Sequence, residues 1–306
     1  MSTRIRCLRR LLTGALLLVA STCAGQDQTI PLSRCAPGVH ESESHGTVAF
    51  PQDSIHCPLL ADPKEPRSFA SLLRGTFRTL DDPSGATTTI VSVGIGDTFG
   101  LVRWNGRQAG DGVQIDVVGA VFAQFDFNAP SKDLINADYT IGFPITFRTH
   151  GFSTRVRVYH QSSHLGDEFL LRDSAIQREN LSFESIELLL SQEIHALRVY
   201  GGAERLFRRE PDTVGASVFH GGAEFRSGRA GPAQMVAAVD MKTTELYDWS
   251  PAISGRVGLE LIRSSASGHP ARLVTLMAEF YNGPSPYGQF FQDDISYAGF
   301  GIHFSL

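Results

Sequence analysis

The sequence predicts an all-β protein, an antiparallel transmembrane β-barrel of about 12 strands preceded by an irregular N-terminal extension. Three observations support this prediction. The N-terminus resembles an export signal, long segments alternate apolar and polar residues, and the chain ends in an alternating apolar strand. We therefore predict a signal peptide over residues 1–25, a periplasmic extension over 26–85 and an outer-membrane barrel over 86–306.

The export signal has the three parts expected of a secretory leader. Four arginines precede an apolar core from Leu11 to Ala20, and small residues around Thr22 and Ala24 form a cleavage site. Cys23 allows a second interpretation, a lipidated N-terminus, although the leucine usual three places before such a cysteine is missing. Either interpretation predicts an exported protein.

Two cysteines, Cys35 and Cys57, belong to the predicted mature chain. Export places them in an oxidising compartment, which favours a disulfide between them over two unpaired thiols.

The extension over residues 26–85 is rich in proline, which interrupts regular elements. We predict irregular structure there, with a short helix near Phe69 to Leu73. Its run PLLADPKEPR (58–67) is interpreted either as an extended linker or as a segment that docks at the periplasmic mouth of the barrel or on a partner.

The region after residue 86 alternates with a period of two, as strands with one apolar and one polar face do. In VQIDVVGAVFAQFDF, for example, Val113, Ile115 and Val117 share one parity and Asp116 the other. Charged residues recur on the polar parity, which fits either a barrel lumen or the solvated face of a soluble sandwich. They are Asp116, Arg157, Arg198, Glu204, Glu224, Asp240, Arg256, Glu260 and Glu279.

The C-terminal residues GFGIHFSL favour the barrel. Phe300, Ile302, Phe304 and Leu306 share one face, a pattern similar to the C-terminal targeting signal of outer-membrane barrels, although the usual last residue is Phe. The expected partners are therefore the barrel-assembly machinery, through this last strand, and outer-membrane lipid. With the C-terminus in the periplasm, the connections at 165–179 and 283–294 face outward.

The composition excludes other classes. The 306 residues are 42% hydrophobic and 19% charged, with a net charge of −5. This content is too apolar for a disordered chain, and no basic excess supports binding to nucleic acid. No P-loop, dinucleotide fingerprint or zinc spacing is present.

One predicted strand departs from an apolar outer face. In STRVRVYHQSSHL, Val156 and Val158 are on the outer face. The next alternate residues on that face are His160, Ser162 and His164. The following strand, NLSFESIELLL, likewise places three polar residues on its outer face, namely Asn180, Ser182 and Glu184. Polar residues facing lipid are costly at the bilayer centre and tolerated near the interface.

This cluster suggests nucleophilic catalysis. Ser162 is the candidate nucleophile, His160 the general base, and Glu184 or Asn180 the group that orients the imidazole. Asp167 and Glu168 are candidate ligands for a calcium ion that stabilises an oxyanion. The substrate would be a lipid ester of the outer leaflet. The alternative is a polar girdle that only contacts lipid headgroups.

Two resemblances bear on these predictions. His-x-Ser near the top of a barrel strand resembles the outer-membrane phospholipase A and lipid A deacylase families, although Ser163 stands where those families usually have Asn. Four runs together resemble the bacterial family DUF1207, which implies an outer-membrane barrel and no particular activity. They are PLLADPKEPR (58–67), LINADYTIGFPITFR (134–148), YHQSSHLGDEFL (159–170) and YNGPSPYGQFF (281–291).

Three functions therefore remain open from the sequence. The chain is a lipid-ester hydrolase, a non-catalytic anchor or scaffold that uses residues 26–85 as an interaction arm, or a narrow channel for small solutes.

Overall fold

The computed structural model describes residues 46–78, 85–108, 110–172, 179–263 and 272–305. The predicted signal peptide and Cys35 lie outside these ranges. All described residues belong to one unit of the chain, Leu32–Leu306. Its strands are β1 (Thr47–Ala49), β2 (Ser68–Arg78), β3 (Ala86–Asn105), β4 (Gly112–Asp126), β5 (Leu134–Thr149), β6 (Phe152–Leu165), β7 (Leu181–Ile194), β8 (Leu197–Glu210), β9 (Ser217–Arg226), β10 (Ala233–Thr244), β11 (Pro251–Arg263), β12 (Arg272–Pro284) and β13 (Asp294–Ser305).

Strands β2 to β13 form a closed antiparallel barrel of 12 strands. Each strand pairs with its sequence neighbours, and β13 pairs with β2, Phe300 lying opposite Leu72. The short strand β1 pairs with the far end of β3, beyond the point where β2 begins. The predicted all-β barrel is confirmed. Within the described ranges, no α-helix has the length and apolar character of a membrane span.

The barrel begins earlier in the sequence than predicted. Residues 68–78, assigned to the irregular extension with a helix near Phe69, form strand β2. This segment alternates as a strand does, with Phe69, Ser71 and Leu73 buried and Leu72 exposed. Strand β3 is a single strand of 20 residues with an irregularity in its pairing between Gly100 and Val102.

The two ends of the barrel differ. At one end, called here the turn end, the connections include the two tight turns 150–151 and 195–196. The opposite long-loop end carries the connection 166–180, which contains the helix α1 (Asp167–Arg172), and the connection 285–293, which contains a 3-10 turn (Gly288–Phe290). The outer ends of β6 and β7 lie at this long-loop end.

Residues 51–67 occupy the lumen and are called the plug here. Leu59 and Ala61 are fully buried, and Arg198 and Arg256 of the barrel wall donate to the carbonyl oxygens of Cys57 and Leu60 at 2.9 and 2.7 Å. The run PLLADPKEPR is therefore neither a linker nor a segment outside the barrel mouth. Its Asp62, Lys64 and Glu65 pair with Lys242, Asp138 and Arg155 of the inner wall, whereas Arg67 donates to carbonyl oxygens within the plug.

The strand positions that carry the charged residues do face the lumen. Of the nine charged residues predicted there, eight are buried and Glu204 is partly buried. Buried charges persist when they are paired, and these form a network with the plug. Its ion pairs include Arg103–Asp53, Arg155–Glu65, Arg157–Glu187, Arg198–Glu224, Lys242–Asp62 and Arg256–Glu279.

Candidate functional site

The outward polar cluster forms as the sequence predicts. In β6, Arg155 and Arg157 are buried in the lumen, whereas Val156, Val158 and His160 face outward. The register places Glu184 of β7 directly opposite His160. His160 Nδ1 lies 3.4 Å from Glu184 Oε1, and the two side chains are 44% and 30% exposed.

Ser162 lies one outward position further along β6, toward the long-loop end. Residues i and i+2 of a strand share a face with Cα atoms about 6.5–7 Å apart. Its cross-strand neighbours are Tyr139 of β5 and Ser182 of β7. Among the described residues, no hydrogen bond joins Ser162 to His160. Catalytic hydrogen bonds are often open before substrate binds.

The His160–Glu184 contact determines which ring nitrogen is available. A neutral imidazole that donates Nδ1–H to a carboxylate keeps its lone pair on Nε2. That nitrogen is the one a general base presents to a hydroxyl nucleophile in a Ser-His-acid arrangement. With Nδ1–H directed at Glu184, Nε2 is the acceptor nitrogen of the His160 ring.

Not every predicted site residue joins this cluster. Asn180 is exposed and precedes β7, so Glu184 is the residue that contacts His160. Asp167 and Glu168 are exposed in the first turn of α1. Within the described ranges, no group of three or more His, Cys, Asp or Glu side chains could hold a metal ion. Calcium binding by Asp167 and Glu168 stays a prediction.

The predicted disulfide involves one residue inside the barrel. Cys57 is 3% exposed, lies in the plug and is disulfide-bonded. The pairing with Cys35 stays a prediction, because Cys35 lies outside the described residues.

A second polar cluster, which the sequence did not predict, lies on the lumenal side of β6. This inner cluster consists of Lys64, Asn136, Asp138, Ser163 and Gln289. Ser163 donates through Oγ to Asp138 and lies 2.9 Å from Asn136 Oδ1, and Lys64 pairs with Asp138. Asn136 and Asp138 are completely buried.

The connection 285–293 completes the inner cluster. The backbone N–H of Gly288 donates to Asp138 Oδ2 at 3.1 Å, and that of Gln289 donates to Asn136 Oδ1 at 3.3 Å. A Cβ at Gly288 would lie 2.6 Å from Ser163 Oγ, so only glycine allows this approach. Each of the four runs that resemble DUF1207 contributes a residue here. The polar residues and the glycine within these four runs were the sequence signal that could have indicated the inner cluster.

The closed antiparallel barrel and the apolar outer face of its strands define the class, an outer-membrane β-barrel protein. The chain belongs to the family described as Protein of unknown function (DUF1207), which matches residues 27–306.

Solved barrels show the same fold at low sequence identity. The outer membrane phospholipase A of Escherichia coli is 13% identical, with a TM-score of 0.52, and the match covers 79% of this chain and 94% of that chain. The phospholipase of Salmonella typhi, solved as a dimer with bound calcium, is also 13% identical, with a TM-score of 0.51 and coverage of 80% and 94%. No curated protein sequence matches the chain.

Proposed function

We propose that this protein is an outer-membrane hydrolase of lipid esters, with its site on the outer surface of β6 and β7. The observation that carries the proposal is the His160–Glu184 pair, with Ser162 on the same outward face. A nucleophile, a base and an acid are thereby assembled where the acyl chains of a membrane lipid reach the barrel wall. The proposal rests on this geometry, and the phospholipase names of barrels with a similar fold are consistent with it.

The proposed reaction is acyl transfer to serine. Ser162 Oγ attacks the ester carbonyl carbon while His160 Nε2 takes the hydroxyl proton, and Glu184 stabilises the imidazolium. The ester C–O bond then breaks, and the departing alcohol takes the proton from His160. Water, deprotonated by His160, attacks the acyl–Ser162 carbonyl, the bond to Ser162 Oγ breaks, Oγ takes the proton back from His160, and the fatty acid is released.

Fatty-acid release is the direct test. The full chain, refolded in detergent, is incubated with phosphatidylethanolamine and with lipopolysaccharide, each with and without calcium. Ser162→Ala should abolish release. Ser182→Ala is the matched control, because Ser182 lies directly opposite on the same face and should be dispensable. A chain that releases no fatty acid from either lipid, or a Ser162→Ala variant that remains active, would overturn the proposal.

A covalent probe tests the site without knowledge of the substrate. An alkyl fluorophosphonate should form a bond between its phosphorus and Ser162 Oγ and release fluoride. Labelling should be lost in Ser162→Ala and reduced about 10²- to 10⁴-fold in His160→Ala, the range expected for removal of a general base. His164→Ala is the control, because His164 shares the face but packs its ring against Tyr139.

The channel hypothesis has less support. The plug crosses the lumen, and two cavities beside it, one next to Lys64 and one next to Glu65, have volumes of about 10 and 20 Å³, each room for about one water molecule. A barrel that neither hydrolyses lipid nor reacts with the probe would leave the anchor or scaffold and the narrow channel, which conductance in planar bilayers would distinguish.

A further inference from the structure

The outward site and the inner cluster lie on opposite sides of the same piece of backbone. Ser162 and Ser163 are consecutive in β6, and successive strand side chains point to opposite faces. Ser162 faces outward, whereas Ser163 is 1% exposed in the lumen. The position of Ser162 Oγ therefore depends on how firmly the backbone is held from the lumenal side.

Gln289 holds this backbone through its side-chain amide. Nε2 donates to the carbonyl oxygen of Ser163 at 2.9 Å and to that of Glu179 at 3.0 Å. Glu179 lies two residues before β7, the strand that carries Glu184. One amide group therefore bonds both to β6, next to Ser162, and to the residues that lead into β7, the strand that carries Glu184.

The connection that carries Gln289 is itself fixed. Besides the two backbone hydrogen bonds to Asn136 and Asp138, the ring of Phe290 packs edge-on against Phe169 of α1, with 5.9 Å between centroids. The backbone of Gln289 is fixed by its hydrogen bond to the buried side chain of Asn136. The side chain of Gln289 therefore contacts β6 from a fixed position. Catalytic groups need support of this kind, since a displacement of about 1 Å can lower a rate 10²-fold.

We propose that Gln289 is a positioning residue of the hydrolase, which sets the location of Ser162 from the lumenal side without contact with substrate. This inference rests on the proposed function. Its role is to keep the ends of β6 and β7 in one arrangement, so that Ser162, His160 and Glu184 approach one lipid ester together.

The test compares three substitutions in the full chain. Gln289→Leu removes both hydrogen bonds. Gln289→Glu keeps nearly the same side-chain size but replaces the donor with a carboxylate, which cannot donate to the two carbonyl oxygens. Gln234→Leu is the control, because Gln234 is a buried glutamine of the barrel wall that bonds Glu260 between β10 and β11, whereas Gln289 is partly buried. The readouts are kcat and KM for fatty-acid release, the rate of Ser162 labelling by an alkyl fluorophosphonate, and the thermal unfolding midpoint.

We expect both Gln289 variants to lower kcat and the labelling rate about 10- to 100-fold. KM should change less than about twofold, because bound lipid does not touch Gln289. Gln234→Leu should leave kcat, KM and the labelling rate near the wild-type values, and only its thermal midpoint should fall, because the buried Glu260 loses a hydrogen bond. If Gln289→Leu does not refold, Gln289→Asn, which keeps the amide but shortens its reach, should give an intermediate labelling rate.

Three results would overturn the inference, and they are distinguishable. A wild-type chain that labels at Ser162 beside Gln289 variants that label equally fast would refute the positioning role and leave the hydrolase intact. A wild-type chain that neither labels nor releases fatty acid would refute the hydrolase and the positioning role with it. An equal loss of labelling in Gln234→Leu would show a general effect of lumenal packing and would also refute the specific role.

Discussion

The hold of the barrel on its plug can be tested at a single arginine. Arg155 of β6 is 6% exposed and contacts Glu65 of the plug through two hydrogen bonds, at 2.6 and 3.1 Å. It also contacts Glu187 of β7 at 2.9 Å. Arg155→Leu leaves Glu187 with Arg157, at 2.6 Å, but removes the ion-pair partner of Glu65.

The expected effect is large because Glu65 would remain buried as an uncompensated charge. Removal of one partner from a buried ion pair typically costs about 3–5 kcal/mol. At about 1.4 kcal/mol per factor of ten, the undocked population of the plug should rise roughly 100- to 4,000-fold. The double variant Arg155→Leu/Glu65→Leu should recover most of this loss, because it removes both charges.

The undocked population is measured by reaction of a buried thiol. Ala61→Cys places the thiol at a plug position that is fully buried, so a water-soluble maleimide reacts only when the plug leaves the lumen. The maleimide rate should rise by the stated factor in Arg155→Leu and fall back in the double variant. Equal rates in the parent, single and double variants would refute the argument that this ion pair holds the plug.

Three further predictions concern the long-loop end and the outward site. Gly288→Ala should destabilise the protein by about 1–3 kcal/mol, measured by chemical unfolding, because the added Cβ would overlap Ser163. Glu184→Gln should slow fluorophosphonate labelling of Ser162 by at least tenfold, since the amide carries no charge to stabilise the imidazolium; an unchanged rate would exclude Glu184 from the mechanism. Burial raises the pKa of Asp293 to about 6, so the folded state favours the protonated carboxyl and the wild type loses stability as pH rises from about 4 to 6. Asp293→Asn should therefore raise the thermal midpoint at pH 8 and leave it unchanged near pH 3, and an equal gain at both would contradict this cause.

The described part of the lumen is filled by side chains and by the plug. Arginines, glutamates and the plug make the interior a charged, packed core.

The outward site was predictable because it depends on parity alone. Once Val156 and Val158 are assigned to the outer face, the period of two places His160 and Ser162 there too. The pairing of His160 with Glu184 rather than Asn180 was not predictable, because it depends on the register between β6 and β7 across a 15-residue connection (166–180).

The sequence alone determined the barrel, the strand order and the faces of the strands, because alternation is a local property that each segment carries. Tertiary structure decided what local patterns do not encode. Strand β2 was missed because a single segment near many prolines is weak evidence, and its identity depends on pairing with β13 at the other end of the chain. The plug and the inner cluster join Lys64, Asp138, Ser163 and Gln289 across more than 200 residues of sequence. These residues come together only when the barrel closes, because they lie on segments that are far apart in the sequence.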